Sequence, residues 1–207
     1  GYITKNYSPF EDNERQFFTV ENAKRIDYLR QQIHNLQHQL TNNDYKFLLA
    51  SLIISADLVS NVPAVYGCYL KKFKSKALKE LVLKPIHQYS DNDEKKSDTF
   101  HSNVLDDEFL KRNEYDMVYL DPPYNERQYS KNYFPLNMIA KTPHELENEK
   151  PLKGKTGIPT DCFLSPFCKK GNTVEDAFNT LFKELKTNWI FLSYNSESIV
   201  KKEKILE

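Results

Sequence analysis

Glycine is scarce in this chain, at five in 207 residues. Gly154 and Gly157 follow no apolar strand, and Gly154-Lys155-Thr156-Gly157 lacks the upstream glycine of a phosphate-binding loop. Cys68, Cys162 and Cys168 form no close pair and no CxxC, which argues against a disulfide framework and leaves ordinary thiols of a reducing compartment. No apolar run reaches membrane-spanning length, because the longest, 47–59, is broken by Ser51, Ser55 and Asp57. With no signal peptide visible, a soluble cytoplasmic protein is expected. Charge of one sign is missing too: 29 basic residues face 29 acidic ones, so any nucleic-acid contact must come from a local basic patch. The histidines show no metal spacing, since His34 and His38 lie one helical turn apart without a third ligand, and no metal is expected. The chain opens on Gly1 instead of Met and closes on Lys204-Ile205-Leu206-Glu207, so a piece of a longer polypeptide is expected.

Aromatic residues are plentiful, with 13 Tyr and 13 Phe supplying core mass and stacking surfaces. The length suits one domain, or one domain with an insertion. Thr19 and Glu21 mark a helix start, and Ile26, Leu29, Ile33, Leu36 and Leu40 form its apolar stripe. A turn at Asn42-Asn43-Asp44 introduces a second helix over 45–58, apolar on most faces and therefore expected to be central.

From about residue 82 the pattern becomes α/β. Strands are expected over 81–87 and 100–104, a helix over 107–111, and a buried strand over 117–120 that stops at Pro122-Pro123. Residues 141–173 should be mostly loop. An amphipathic helix then carries Val174, Ala177, Phe178, Leu181, Phe182 and Leu185, and the next buried strand covers 189–192. Strand, helix and strand in this order predict a mainly parallel sheet.

Ligands of open α/β sheets bind beyond the carboxyl ends of the strands, where Asp121-Pro122-Pro123-Tyr124 falls. A carboxylate at Asp121 can accept one hydrogen bond from an amino group, and the Pro122 carbonyl can accept the other. Two such acceptors favour a pyramidal nitrogen, which frees the delocalised lone pair of an adenine amine to attack an electrophilic methyl. Tyr124 offers an aromatic face to a base taken out of the duplex, worth about 1–3 kcal/mol in stacking. The same four residues also suit a plain strand stop followed by a turn.

Asp121 to Tyr124 resembles the catalytic motif of amino-directed methyltransferases that use S-adenosylmethionine. DPPYNERQYSKNYFPLNMIA, GKTG, FLSYNSE, ERQFFTVENAKRID and NVPAVYGCYLKKF are similar to adenine-specific DNA methyltransferases of the Dam and FokI type, over nearly the whole chain. The resemblance implies that Asp121, Pro122, Pro123 and Tyr124 are catalytic and that Asp106 and Asp121 contact the cofactor, although Asp106 also suits a helix cap. Ser193 and Asn195 match a strand-end motif that supports the active site, and equally suit polar residues at a core edge. The family's cofactor strand ending in Phe-x-Gly-x-Gly does not occur here, so the N-terminal cofactor-binding segment is expected to be lacking.

The expected fold is α/β, a partial Rossmann-like methyltransferase sheet with a helical target-recognition insertion. Residues 1–80 would be the helical DNA-recognition region and 81–207 the catalytic part. Lys71, Lys72, Lys74 and Lys76, interleaved with Tyr69 and Phe73, suit either a phosphate backbone or a solvated helix face. Arg127 and Tyr129 are placed to hold the flipped nucleotide or its flanks. The expected partners are double-stranded DNA and a cognate restriction endonuclease, with no membrane. The alternative is a catalytically incomplete fragment acting only as a DNA-binding module.

Overall fold

The computed structural model describes residues 1–86, 99–106, 113–149 and 152–206. They form two compact units, Gly1–Ser90 with Tyr129–Cys162, and Asp91–Gln128 with Phe163–Glu207.

The first unit is helical among its described residues. Helix α1 (Tyr2–Tyr7) has no cap of its own, and a distant carboxylate replaces it. Asp27 accepts from the amides of Ile3 at 2.9 Å and Thr4 at 2.8 Å, and from the Thr4 hydroxyl at 2.7 Å. This places negative charge on the positive end of α1. Helix α2 (Val20–Asn35) starts as expected, with the Thr19 side chain accepting from the Asn22 amide and Glu21 in the first turn. Its stripe buries Ile26 and Ile33 and ends there: Leu36 is exposed, and a short 3-10 helix follows over Gln37–Gln39.

Helix α3 (Asn42–Leu58) begins at Asn42 and not at Tyr45, because Thr41 is the cap and Asn42, Asn43 and Asp44 lie inside the first turn. It is not apolar-buried on most faces as expected: Ile54 and Leu58 are 54% and 52% exposed, while Ser51 and Ser55 are buried beside Leu52 and Ala56. Those two serines explain a second departure. Residues 81–86 form no strand, because side chains take the bonds a ladder would have taken. The Lys84 amide donates to Ser55 Oγ at 3.0 Å, the Ile86 amide to Ser51 Oγ at 3.1 Å, and the Leu81 amide to Asn22 Oδ1 at 2.9 Å.

Helices α4 (Tyr129–Asn132), α5 (Phe134–Ala140) and α6 (Pro143–Glu147) complete this unit. Thr142 and Glu145 form a capping box with Pro143 at the first helical position, so the expected loop contains a helix. Phe134, Met138, Ile139 and Leu146 join a core built around Phe17, whose ring meets Tyr7 at 5.8 Å, Phe134 at 5.6 Å and Tyr69 at 5.2 Å. Buried Arg30 donates Nε to the Ile139 carbonyl at 2.7 Å and Nη2 to the Lys141 carbonyl, a cation at the negative end of α5.

In the second unit, β1 (Tyr115–Leu120) and β2 (Thr187–Leu192) pair in parallel, with Met117 opposite Trp189, Tyr119 opposite Phe191 and Leu120 opposite Leu192. Helix α7 (Asn172–Glu184) buries Val174, Ala177, Phe178 and Leu181, as its periodicity predicts. Helix α8 (Lys202–Leu206) ends the described chain. The strands are not buried as expected, since Met117, Tyr119, Trp189 and Phe191 are 59%, 65%, 66% and 53% exposed. No strand forms over 100–104, and the helix expected over 107–111 lies outside the described residues. The observed class is thus mixed α/β with a two-stranded parallel sheet among the described residues. No helix described is long and apolar enough to cross a membrane.

One buried amide ties four segments of the first unit. Asn61 Nδ2 donates to the carbonyls of Gln16 at 3.0 Å and Leu70 at 2.9 Å, while Oδ1 accepts from the Lys74 amide at 3.1 Å. Replacing Asn61 with Ala strands those three backbone groups and is expected to cost about 2–4 kcal/mol, read from urea unfolding. A loss below about 0.5 kcal/mol would contradict this role.

Candidate active site

Pro122 has no N–H, so β1 cannot continue past the ladder. The last ladder bond runs from the Ser193 amide to the Leu120 carbonyl at 2.9 Å, which sets Asp121 and Ser193 just beyond the carboxyl ends of β1 and β2. The chain is then tied again at Tyr124, whose carbonyl accepts from the Ile199 amide at 3.0 Å. Next, Asn125 Oδ1 accepts from the Arg127 amide at 3.0 Å and closes a local turn. Cys168 Sγ donates to the Arg127 carbonyl at 3.4 Å. Gln128 pairs with the Ser165 backbone in both directions: its Nε2 donates to the carbonyl at 3.1 Å, and its Oε1 accepts from the amide at 2.8 Å. An exposed ion pair between Lys170 and Glu126 at 2.7 Å adds little by itself.

Between the ties at Leu120 and Tyr124, the Asp121 carboxylate and the Pro122 carbonyl have no partner among the described residues. Asp121 is exposed, Pro122 and Pro123 are half-buried, and Tyr124 is 44% exposed. Two acceptors therefore stand open in a loop fixed on either side, which is what gripping an amine requires.

The other expected residues are distributed between the units. Asp106 is exposed in the second unit, after a turn closed by its own amide to the Asn103 carbonyl at 2.9 Å, and no strand precedes it among the described residues 99–105. Ser193 supplies the ladder bond through its backbone. Asn195 closes a turn, its Oδ1 accepting from the Glu197 amide at 2.7 Å and its carbonyl from the Ser198 amide at 3.1 Å. The Arg127 guanidinium is exposed without a partner among the described residues.

In the first unit, Tyr129 is 56% exposed and its ring lies edge-on to Tyr133 at 6.0 Å. The lysine stripe divides. Lys71 and Lys72 are exposed, whereas the Lys74 ammonium donates to the Val62 carbonyl and the Lys76 ammonium to the Asp57 carbonyl at 3.4 Å. Desolvation, reinforced by Lys76, lowers the Lys74 pKa.

The clasp of Gln128, Ser165 and Cys168 carried no sequence signal, since Gln128 and Ser165 are 37 residues apart and one partner is backbone. Its thiol is testable. Burial raises the Cys162 and Cys168 thiols above the ordinary range, so at pH 8 both hold less of the reactive thiolate. Iodoacetamide should label exposed Cys68 first and buried Cys168 last in peptide mapping, with Cys168 labelling accelerating as pH rises. Equal rates at Cys68 and Cys168 would show that the clasp opens freely.

The family described as D12 class N6 adenine-specific DNA methyltransferase matches residues 2–207. The chain is 41% identical over 202 residues to the Type II methyltransferase M.CviAII of Paramecium bursaria Chlorella virus 1, covering 98% of this chain and 57% of that protein. It is 37% identical over 209 residues to the Type II methyltransferase M.NlaIII of Neisseria lactamica, covering 100% of this chain and 59% of that protein. Against the Type II methyltransferase M.FokI of Planomicrobium okeanokoites, identity is 36% over 207 residues, with 99% and 30% covered. The chain therefore spans little more than half the length of the first two relatives. No solved structure matches. With Asp121-Pro122-Pro123-Tyr124 at the end of a parallel strand and the family match running along almost its whole length, the chain belongs to the D12 class N6 adenine-specific DNA methyltransferases.

Proposed function

We propose that the protein methylates the N6 amino group of adenine at a specific site in double-stranded DNA, and that this chain carries the target-amine side of the reaction. The observation that carries the reading is the pair of open acceptors at Asp121 and Pro122, in a loop held at Leu120 and Tyr124. One amine N–H donates to the Asp121 carboxylate and the other to the Pro122 carbonyl. Because these acceptors are fixed beforehand, they favour the pyramidal nitrogen of the transition state without reorganising. Tyr124 stacks on the flipped base.

The family implies S-adenosylmethionine as the donor, which supplies an electrophilic methyl on a sulfonium. Its hydroxyl and ammonium groups suit the exposed carboxylates of Asp106 and Asp121. Ser193 and Asn195 support the site from the end of β2. Arg127 and Tyr129 hold the displaced nucleotide and its flanks, and Lys71 and Lys72 contact phosphates, with Lys74 shaping their segment from within. A Rossmann-like sheet, target recognition by residues 1–80, and a partner restriction endonuclease belong to the same reading. The relatives' designation as Type II methyltransferases supports the last of these.

Replacing Asp121 with Ala should lower kcat by about 100- to 1,000-fold, the scale of losing one preorganised transition-state contact. DNA affinity should fall by about fivefold, far less than kcat, because the lost bond is strongest in the transition state. Near-normal methylation by that variant would overturn the proposal. Calorimetry with S-adenosylmethionine separates the rival reading, since DNA binding without donor binding would leave only a DNA-binding module.

A further inference from the structure

The Gly154–Gly157 turn has no part in the chemistry above, yet distant residues of the first unit hold it firmly. Lys153 and Ile158 exchange backbone bonds of 2.8 and 3.0 Å at its base. Gly154 and Gly157 have φ of +67° and +73°, where a side chain would be strained. The Arg15 guanidinium donates to the carbonyls of Lys155 at 3.0 Å, Gly154 at 3.3 Å and Asn6 at 3.1 Å. The fully buried Tyr7 donates its hydroxyl to the Gly157 carbonyl at 3.3 Å. A Cβ on Gly157 would stand 2.7 Å from Arg15 Cζ, so only glycine admits this clasp.

The clasp determines where the turn's amides point. A trans peptide directs its C=O and N–H to opposite sides, and no cis bond is present among the described residues. With the Gly154 and Lys155 carbonyls turned to Arg15, the amides of Lys155 and Thr156 face away from it, and neither has an acceptor among the described residues. A Cβ on Gly154 would meet nothing within 4 Å, so the space beside the turn is open. Arg15 pairs with no carboxylate among the described residues and keeps its positive charge behind these amides. Lys155 is exposed, and with Arg15, Lys71 and Tyr69 it lines a groove of about 900 Å³.

We propose that the amides of Lys155 and Thr156, with the Lys155 ammonium, bind a backbone phosphate of the DNA, a contact that rests on the methyltransferase reading. Outward amides backed by a cation make a small anion site. Glu11, Asp12 and Glu14 also line the groove, offsetting Arg15, Lys71 and Lys155, so its overall field is balanced and gives a multiply charged free nucleotide no net attraction. A phosphodiester brings a single negative charge to the turn's open edge. The contact reads no base and positions the duplex.

The test is DNA binding by the full protein across a salt series, on a cognate and a scrambled duplex. Lys155→Ala should weaken both duplexes by the same factor and reduce the salt slope by about 0.9, the release of one counterion. Lys46→Ala, another exposed lysine of the first unit, should leave the slope unchanged. An unchanged slope for Lys155→Ala, an equal change for Lys46→Ala, or a loss confined to the cognate duplex would overturn the proposal. So would weaker S-adenosylmethionine binding with DNA binding intact, which would give the turn to the donor's carboxylate. Failure of the wild-type protein to bind DNA would remove the methyltransferase reading itself, whereas a Lys155 effect of zero on a protein that binds DNA removes only the turn's role.

Discussion

A parallel ladder that ends at a proline governs the site. Pro122 brings no N–H to the sheet, so the bonding between β1 and β2 closes at the Ser193 amide and the Leu120 carbonyl, 2.9 Å apart. From that point the chain must leave the sheet, and it does so with Asp121 foremost. The same absent donor leaves the Pro122 carbonyl on a ring-restricted segment with nothing in the ladder to claim it. Tyr124 is caught again by Ile199, and the residues after it by Ser165 and Cys168. A short segment held at both ends and open in its middle can present acceptors to a ligand without first rearranging.

The first unit solves a different problem, the satisfaction of many backbone groups with no sheet among its described residues. Asn22, Ser51, Ser55 and Asn61 are buried polar side chains, and each binds main-chain atoms of another segment. Buried polar groups are costly unless paired, and these are paired repeatedly. Asp57 is enlisted likewise, taking the Tyr66 hydroxyl at 2.6 Å, while burial pushes that phenol well above its usual range. The Arg15 clasp on the Gly154–Gly157 turn continues the pattern, with one side chain orienting a loop by occupying its carbonyls.

What could be read from the sequence follows from how local the cause is. The Thr19 cap, the apolar face of α7 and the stop of β1 at proline depend on neighbours within a few residues, and each is found. The missing strand over 81–86 depends on serines of α3 about thirty residues earlier, which no periodicity reports. Lys74 looked interchangeable with Lys71 and Lys72, because the folding of its segment around Asn61, which brings its ammonium to the Val62 carbonyl, is a tertiary matter. Asp121 and its neighbours were legible because the chemistry sits in adjacent residues. The clasp behind them, from Gln128 to Ser165, was not.

Whether Asp121 touches the target amine is decided most directly by a double-mutant cycle on binding. Wild-type and Asp121→Ala proteins are titrated with duplexes carrying adenine or purine, which lacks the amine, at the methylated position. A hydrogen bond between carboxylate and amine predicts a coupling of about 1–3 kcal/mol between the two changes. Additive losses, with coupling near zero, would contradict that contact.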